Sequence, residues 1–210
     1  MKAWMLQDIG DFRYCETKRP LVSDGQVIVK VRAAGICGSD IARVYENGAH
    51  RMPLIIGHEF SGEVVETGKY VDDNWKGKRV GIFPLIPCKQ CSSCQEKKYE
   101  MCSQYSYLGS RTNGGFAEYV SVPQWNLIEL PENVSFEQAA MLEPMAVAVH
   151  AMRRLPVVQD KPVAVCGLGT IGQLLIMFLL ERGVQNIIPI GNKDSQKQSV
   201  LAMGIPEENY

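Results

Sequence analysis

The 210-residue sequence has no excess of charge of either sign and no long hydrophobic run. Its 22 lysines and arginines nearly balance 23 aspartates and glutamates, for a net charge of −1. This excludes a basic nucleic-acid-binding surface and an acidic tail as organising features. The longest uninterrupted apolar run, 174–180, has seven residues, whereas a membrane-spanning helix needs about 20. No basic segment followed by an apolar stretch begins the chain, so we expect a cytoplasmic protein without a secretory signal.

What the sequence does contain is typical of a globular protein, with one exception. Hydrophobic residues make up 46% and charged residues 21%, enough to build a core. The exception is seven cysteines, of which four fall within fifteen residues. In a reducing compartment such a cluster favours metal binding over disulfides. The seven are Cys15, Cys37, Cys88, Cys91, Cys94, Cys102 and Cys166.

Hydrophobic periodicity predicts strands first and helices later. Alternating or short apolar segments predict strands at Gln26–Ala34, Glu63–Val65 and Arg79–Phe83. After Ser135 the apolar period becomes helical, and Ser135 with Gln138 matches a capping box at the helix start. Pro144 lies inside this helical pattern and predicts a kink or break near Glu143.

A second domain is predicted from residue 156 onwards. Pro156–Pro162 has the composition of a joint, and the apolar strand Val163–Cys166 that follows suits a parallel sheet. A glycine-rich turn then leads into an apolar helix, 171–180, which Gly183 ends. Asn186–Ile190 is a candidate second strand. These elements together predict one βαβ unit.

The most specific chemical signal is a cysteine cluster with the spacing C-x2-C-x2-C-x7-C. Four thiolates on one compact loop can surround Zn2+ tetrahedrally, and such a site is structural because no position is left for substrate. An iron–sulfur cluster is the main rival, but ferredoxin motifs continue with x3-C-P. Here seven residues intervene, and Ser103 follows the last cysteine. The four ligands would be Cys88, Cys91, Cys94 and Cys102.

A second candidate metal site combines residues that are far apart in the sequence. Cys37, His58 and Glu143 offer a thiolate, an imidazole and a carboxylate. With one water they would make the open three-ligand zinc site that catalysis requires. No local spacing shows that the three meet. Each taken alone is more simply explained as a core thiol, a hydrogen-bonded loop histidine or a solvated helix residue.

The motifs taken in order closely resemble those of the zinc-dependent medium-chain alcohol and polyol dehydrogenases, over essentially the whole chain. They are GICGSD (35–40), GHEFSG (57–62), the four-cysteine loop, GGFAEYV (114–120), EPM (143–145) and GLGTIG (167–172). The resemblance implies a GroES-like, partly open β-barrel catalytic domain over 1–155. It implies the beginning of a Rossmann doubly wound α/β domain over 156–210. Because such a domain normally has six strands, we expect a chain truncated within it.

By this resemblance, Cys37, His58 and Glu143 hold a catalytic zinc, and the four-cysteine cluster holds a structural one. Glu59 would be a neighbouring carboxylate that can approach the metal or exchange onto it. The zinc would act as a Lewis acid on the substrate hydroxyl, and Ser39 would accept and relay its proton. Hydride would then pass to the nicotinamide of NAD or NADP.

The resemblance also implies a substrate class. Asn47–His50 is most similar to dehydrogenases of sugar-alcohol phosphates, so we expect a polyol or sugar-alcohol phosphate. His50 is a candidate contact for it, although an exposed loop histidine is the simpler interpretation, as a turn residue is for Ser39. Ala42 stands where many family members carry a relay histidine, so the proton must leave by another route. The complete protein is expected to be a homo-oligomer, dimer or tetramer.

A dinucleotide fingerprint, G-x-G-x-x-G, follows the strand at 163–166 and begins the next helix, which is the context that supports it. It consists of Gly167, Leu168, Gly169, Thr170, Ile171 and Gly172. The glycines let the backbone approach a pyrophosphate at the helix N-terminus. Gly191 replaces the acid expected about 20 residues on, which binds ribose. Lys193 would suit NADP, and Asp194 in a shifted register would suit NAD, so both stay open.

Three function classes compete for this sequence. The first is an oxidoreductase, although a truncated chain does not encode the whole nicotinamide pocket. The second is a zinc-bearing structural or binding domain without turnover, and the third is an iron–sulfur electron carrier. Metal content separates them, because they predict two zinc ions, one zinc ion and a brown chromophore, respectively.

Overall fold

The computed structural model describes residues 1–154 and 161–210. Within them the chain divides into two compact units, Met1–Glu143 and Pro144–Tyr210. Most of the predicted joint, 156–162, lies outside the described residues, so the boundary at 155/156 stays a prediction. No helix in the part of the chain that the structure describes is long and apolar enough to cross a membrane.

Short antiparallel strands make up most of the first unit. In chain order they are β1 (Lys2–Asp8), β2 (Asp11–Glu16), β3 (Gln26–Gly35), β4 (Leu54–Ile55), β5 (Glu59–Thr67), β6 (Arg79–Ile82), β7 (Leu85–Ile86), β8 (Ser106–Tyr107), β9 (Tyr119–Pro123) and β10 (Leu127–Glu129). Five of them form the main sheet in the order β10-β6-β5-β3-β9, while β2-β1-β4 and β7-β8 form smaller sheets. The strand predicted at Gln26–Ala34 is therefore confirmed as β3 at the centre of the unit.

The core of the first unit lies against this main sheet. Val27 and Val29 of β3 are fully buried in it, together with Phe60 and Val64 of β5. β-Branched and aromatic side chains dominate because they pack well on a pleated surface. The helices of this unit are short: α1 (Gly38–Ala42), α2 (Ser92–Gln95) and α3 (Phe136–Ala140).

The helical pattern after Ser135 breaks earlier than predicted. The capping box is present, since Gln138 N donates to Ser135 Oγ at 3.2 Å and Ser135 N donates to Gln138 Oε1 at 2.9 Å. α3 then ends at Met141, and α4 (Leu142–Arg154) begins at once. Pro144 therefore lies in the first turn of α4, where its missing N–H costs no hydrogen bond.

The second unit contains the predicted βαβ arrangement. β11 (Val163–Cys166) and β12 (Ile187–Ile190) pair in parallel, α5 (Thr170–Glu181) connects them, and α6 (Asp194–Ala202) follows. The core includes Ile176 and Leu179 of α5 and Ile187 of β12. Among the described strands β12 pairs with β11 alone. It is thus an edge strand there, a place that tolerates Pro189.

Two glycines shape the turn between β11 and α5. Gly167 has a φ of +92°, a left-handed conformation that favours glycine. Gly172 packs so closely on this turn that a Cβ there would overlap the Gly167 carbonyl oxygen. Gly169, by contrast, would meet nothing within 4 Å. The first and third glycines of the fingerprint therefore have steric reasons in the fold itself.

We expect Gly172→Ala to destabilise the second unit by about 1–3 kcal/mol, because its added methyl has no space. Gly169→Ala is the matched control, with a smaller loss, under about 1 kcal/mol, because alanine is only a poorer N-cap than glycine. Hydrogen exchange of the α5 amides, followed by mass spectrometry, measures both. Equal exchange rates in the two variants would contradict the close packing at Gly172.

Candidate metal centres

The four clustered cysteines come together on the loop between β7 and β8. Their sulfur atoms all lie within 4.8 Å of one another. The loop carries α2, which begins after Cys91 and brings Cys94 into the group. Cys94 and Cys102 are buried, and Cys88 and Cys91 are half-buried. The spacing in the sequence thus brings four thiols to one point, as expected for a tetrahedral zinc site.

Backbone amides surround these sulfur atoms with hydrogen-bond donors. Cys88 N donates to Cys102 Sγ at 3.3 Å, and Cys91 N donates to Cys88 Sγ at 3.4 Å. The backbone groups of Ser103 and Cys94 lower the pKa of the Cys91 thiol to about 6. Such donors favour the thiolate, which is the form that binds metals. The donor set and its surroundings therefore fit a zinc ion.

A second group of donors consists of Cys37, His58 and Glu59, whose ligand atoms also lie within 4.8 Å of one another. Strand pairing explains how Cys37 and His58, which are 21 positions apart in the sequence, come together. β3 and β5 are antiparallel, and Gly35 at the end of β3 pairs with Glu59 at the start of β5. Cys37 lies two residues beyond Gly35, at the N-terminus of α1. The register of the sheet therefore places the thiol beside the imidazole and the carboxylate.

Glu143 lies next to this group but not in it, as judged over the described residues. Its Oε1 accepts a hydrogen bond from Tyr107 Oη at 3.0 Å. The assignment of Glu143 as the third metal ligand, with Glu59 as its neighbour, stays a prediction; in the structure it is the Glu59 carboxylate that lies within the donor group. Glu59 directly follows His58 and begins β5, whereas Glu143 lies in the first turn of α4.

Tyr107 is a site residue that sequence reasoning missed, since a tyrosine in a two-residue strand carries no signal of its own. Its ring lies edge-on to the His58 imidazole, with ring centroids 6.0 Å apart. Burial and the Glu143 carboxylate raise the pKa of Tyr107 far above its usual value. Its hydroxyl therefore keeps its proton and acts as a donor.

Asp40 links the donor group to its surroundings. Only 2% of this residue is exposed. Oδ2 accepts from Cys37 N at 3.1 Å, and Oδ1 accepts from Arg43 Nη1 at 2.8 Å. His58 Nδ1 lies 3.4 Å from Oδ1 and has no hydrogen bond of ordinary geometry within the described residues. This distance marks an electrostatic contact that orients the imidazole.

The electrostatics of the site favour a cation. Burial lowers the pKa of His58, but the carboxylates of Asp40, Glu143 and Glu59 outweigh it, and the pKa rises above its usual value. Burial raises the pKa of Glu59, and Glu143 adds to this effect. Carboxylates gathered beside a thiol make a negative, partly buried environment. A thiol, an imidazole and a carboxylate in that environment fit a divalent zinc ion.

A cavity of about 560 Å3 opens beside His58 and suits a small molecule. Ser39 and His50, both named from the sequence, contribute to its walls. Glu100 and Tyr105 flank Cys102, so the cysteine loop forms part of the wall. The lining residues are Ser39, Arg43, His50, His58, Phe83, Leu85, Glu100, Tyr105, Tyr107 and Ser110.

In the second unit, residues 167–169 connect β11 to α5, Gly169 is the helix N-cap, and 170–172 form the first turn of α5. Gly191 follows β12, at the position where an acid would bind ribose. A Cβ there would lie 2.7 Å from Leu168 Cδ1 and 3.0 Å from Tyr210 Oη. Both atoms are the far ends of flexible side chains, so these contacts leave the choice between NAD and NADP open. Asp194 lies in the first turn of α6 instead.

Sequence comparison relates the chain to alcohol and polyol dehydrogenases. Residues 23–132 match the family model of the alcohol dehydrogenase GroES-like domain. Galactitol 1-phosphate 5-dehydrogenase of Escherichia coli (strain K12) is 38% identical over 191 residues, covering 90% of this chain and 55% of that protein. Sorbitol dehydrogenase of Bacillus subtilis (strain 168) is 30% identical, covering 97% and 59%.

Solved structures agree with these sequence relatives. The alcohol dehydrogenase RspB of E. coli CFT073, complexed with NADH, superposes with a TM-score of 0.89 at 32% identity, over 97% of this chain and 59% of that one. The chain thus spans less than two thirds of the length of these relatives. The expected fold class, a GroES-like domain followed by part of a Rossmann domain, is confirmed. The chain belongs to the zinc-type medium-chain dehydrogenases that carry the alcohol dehydrogenase GroES-like domain.

Proposed function

We propose that this chain is the catalytic part of a zinc-dependent oxidoreductase. The enzyme transfers a hydride from a secondary alcohol of a polyol or sugar-alcohol phosphate to NAD or NADP. The observation that carries the proposal is the convergence of the Cys37, His58 and Glu59 donors beside a cavity of small-molecule size. The dinucleotide turn at 167–172 and the activities named for the two sequence relatives support it.

Each residue of the site has a role in this proposal. Cys37, His58 and Glu59 hold the metal, which supplies a Lewis acid that lowers the pKa of a substrate hydroxyl. Asp40 orients the His58 imidazole through its Nδ1 side, as carboxylates do for metal-binding histidines. Ser39 Oγ, on the cavity wall, accepts the hydroxyl proton. Ala42, three residues after Ser39 on α1, offers no group to relay the proton. Solvent in the cavity therefore takes the proton onwards.

We assign a second, structural zinc to the four-cysteine loop. Its four donors leave no position for substrate, so its role is to fix the loop. The loop also bears Glu100 and Tyr105 on the cavity wall. The structural zinc thereby contributes to the shape of the substrate site.

The cavity also supports a phosphorylated substrate. Arg43 and His50 lie on its wall and can donate to phosphate oxygens, against a single opposing acid, Glu100, among the described lining residues. Asp40 binds Arg43 Nη1, which holds the guanidinium in place with other N–H donors left for an anion. We therefore propose a sugar-alcohol phosphate over a neutral polyol.

The metal assignment predicts the zinc content of the purified protein. We expect two zinc ions per chain by mass spectrometry of the metal, and about one in the Cys37→Ser variant. Cys15→Ser is the matched control and keeps two, because Cys15 lies on β2 outside both donor groups. One zinc in the unsubstituted protein, unchanged in Cys37→Ser, would instead support a non-catalytic zinc domain. A brown chromophore would indicate an iron–sulfur cluster.

The substrate assignment predicts the effect of Arg43→Gln on NAD(P) reduction by the complete protein. With a sugar-alcohol phosphate, kcat/KM should fall roughly 10- to 100-fold, the value of a hydrogen bond to a charged group. With the matching neutral polyol it should change much less. An equal loss with both substrates would show that Arg43 acts only through Asp40. No reduction with any polyol or phosphate by the zinc-replete protein would overturn the proposed activity.

A further inference from the structure

Two glutamates compete for one place at the proposed metal. Glu59 is within the donor group, and Glu143 is close enough to influence both His58 and Glu59 electrostatically. A thiolate and one carboxylate balance the charge of a divalent ion. A second carboxylate is therefore not needed for charge balance, and the structure places only Glu59 within the donor group. The position of Glu143 then depends on what holds it.

Tyr107 has the position to do this. β8 pairs with β7 through Tyr107 and Leu85, which fixes the tyrosine backbone. The ring lies edge-on to His58 on one side, at 6.0 Å, and to Tyr105, at 6.5 Å. From this place Tyr107 Oη donates to Glu143 Oε1 at 3.0 Å. The phenol thus contacts both the histidine of the site and the glutamate outside it.

We propose that Tyr107 is a positioning residue that decides which carboxylate binds the metal. By holding Glu143 Oε1, it keeps Glu143 off the ion and leaves that position to Glu59. Glu143 Oε1 would have to give up this hydrogen bond to bind the metal, and Oε2 could bind it only if the carboxylate moved about the held Oε1. The inference rests on the proposed function, because it requires a metal at Cys37, His58 and Glu59.

Cobalt replacing zinc tests this directly, because the visible spectrum of Co2+ reports the number and geometry of its ligands. The contribution of the four-cysteine site is recorded from Cys37→Ser protein and subtracted. In Tyr107→Phe we expect shifted cobalt bands and a change of about 10-fold in the cobalt dissociation constant, as for other residues behind metal ligands. Tyr105→Phe is the matched control and should behave as the unsubstituted protein. Its hydroxyl contacts Arg111 and not Glu143.

Two glutamate variants make the test independent of how Tyr107→Phe folds. Glu143→Ala should leave the cobalt spectrum unchanged, whereas Glu59→Ala should change it. In the Glu143→Ala background, Tyr107→Phe should have no further effect. A spectrum that responds to Glu143→Ala, or a Tyr107→Phe protein identical to the unsubstituted one, would overturn the inference while the proposed function stands. Absence of cobalt from the site would overturn both.

Discussion

The antiparallel pairing of β3 with β5 is the constraint on which the candidate active site depends. It sets Gly35 opposite Glu59, and a side chain at Gly35 would overlap the Glu59 carboxylate. The buried valines of both strands fix this register, because a slip by one residue would turn the core face toward solvent. Hydrophobic packing of the sheet therefore determines where Cys37 lies relative to His58, because both residues adjoin the end of the β3–β5 pair. The paired backbones of β3 and β5 therefore hold the three donor residues close together without a bound metal.

Charged side chains around His58 are the second feature that defines the candidate site. Asp40, Glu59 and Glu143 surround one imidazole, and within the described residues Arg43 is the cation paired with Asp40. Buried acids that lack cations are costly. A bound divalent ion would relieve that cost.

Many features of the fold and of the candidate site could be predicted from the sequence, and those that could not have physical causes. The spacing of the four cysteines, the Ser135 capping box and the glycine turn at 167–172 are local features, so short sequence segments suffice to predict them. The positions of Glu59 and Glu143 depend instead on the register of β3 and β5 and on the Tyr107–Glu143 hydrogen bond, which joins residues 36 positions apart. No local pattern encodes such a contact. The helix break at Met141 likewise differs from the prediction because a proline is compatible with a first turn.

The loop that carries the four cysteines also forms part of the cavity wall. Because Glu100 and Tyr105 belong both to this loop and to the cavity wall, the two candidate metal sites are not structurally independent. Any change that releases this loop would therefore alter the side of the cavity that Glu100 and Tyr105 form. Such a change could reach the cavity without involving Cys37, His58 or Glu59.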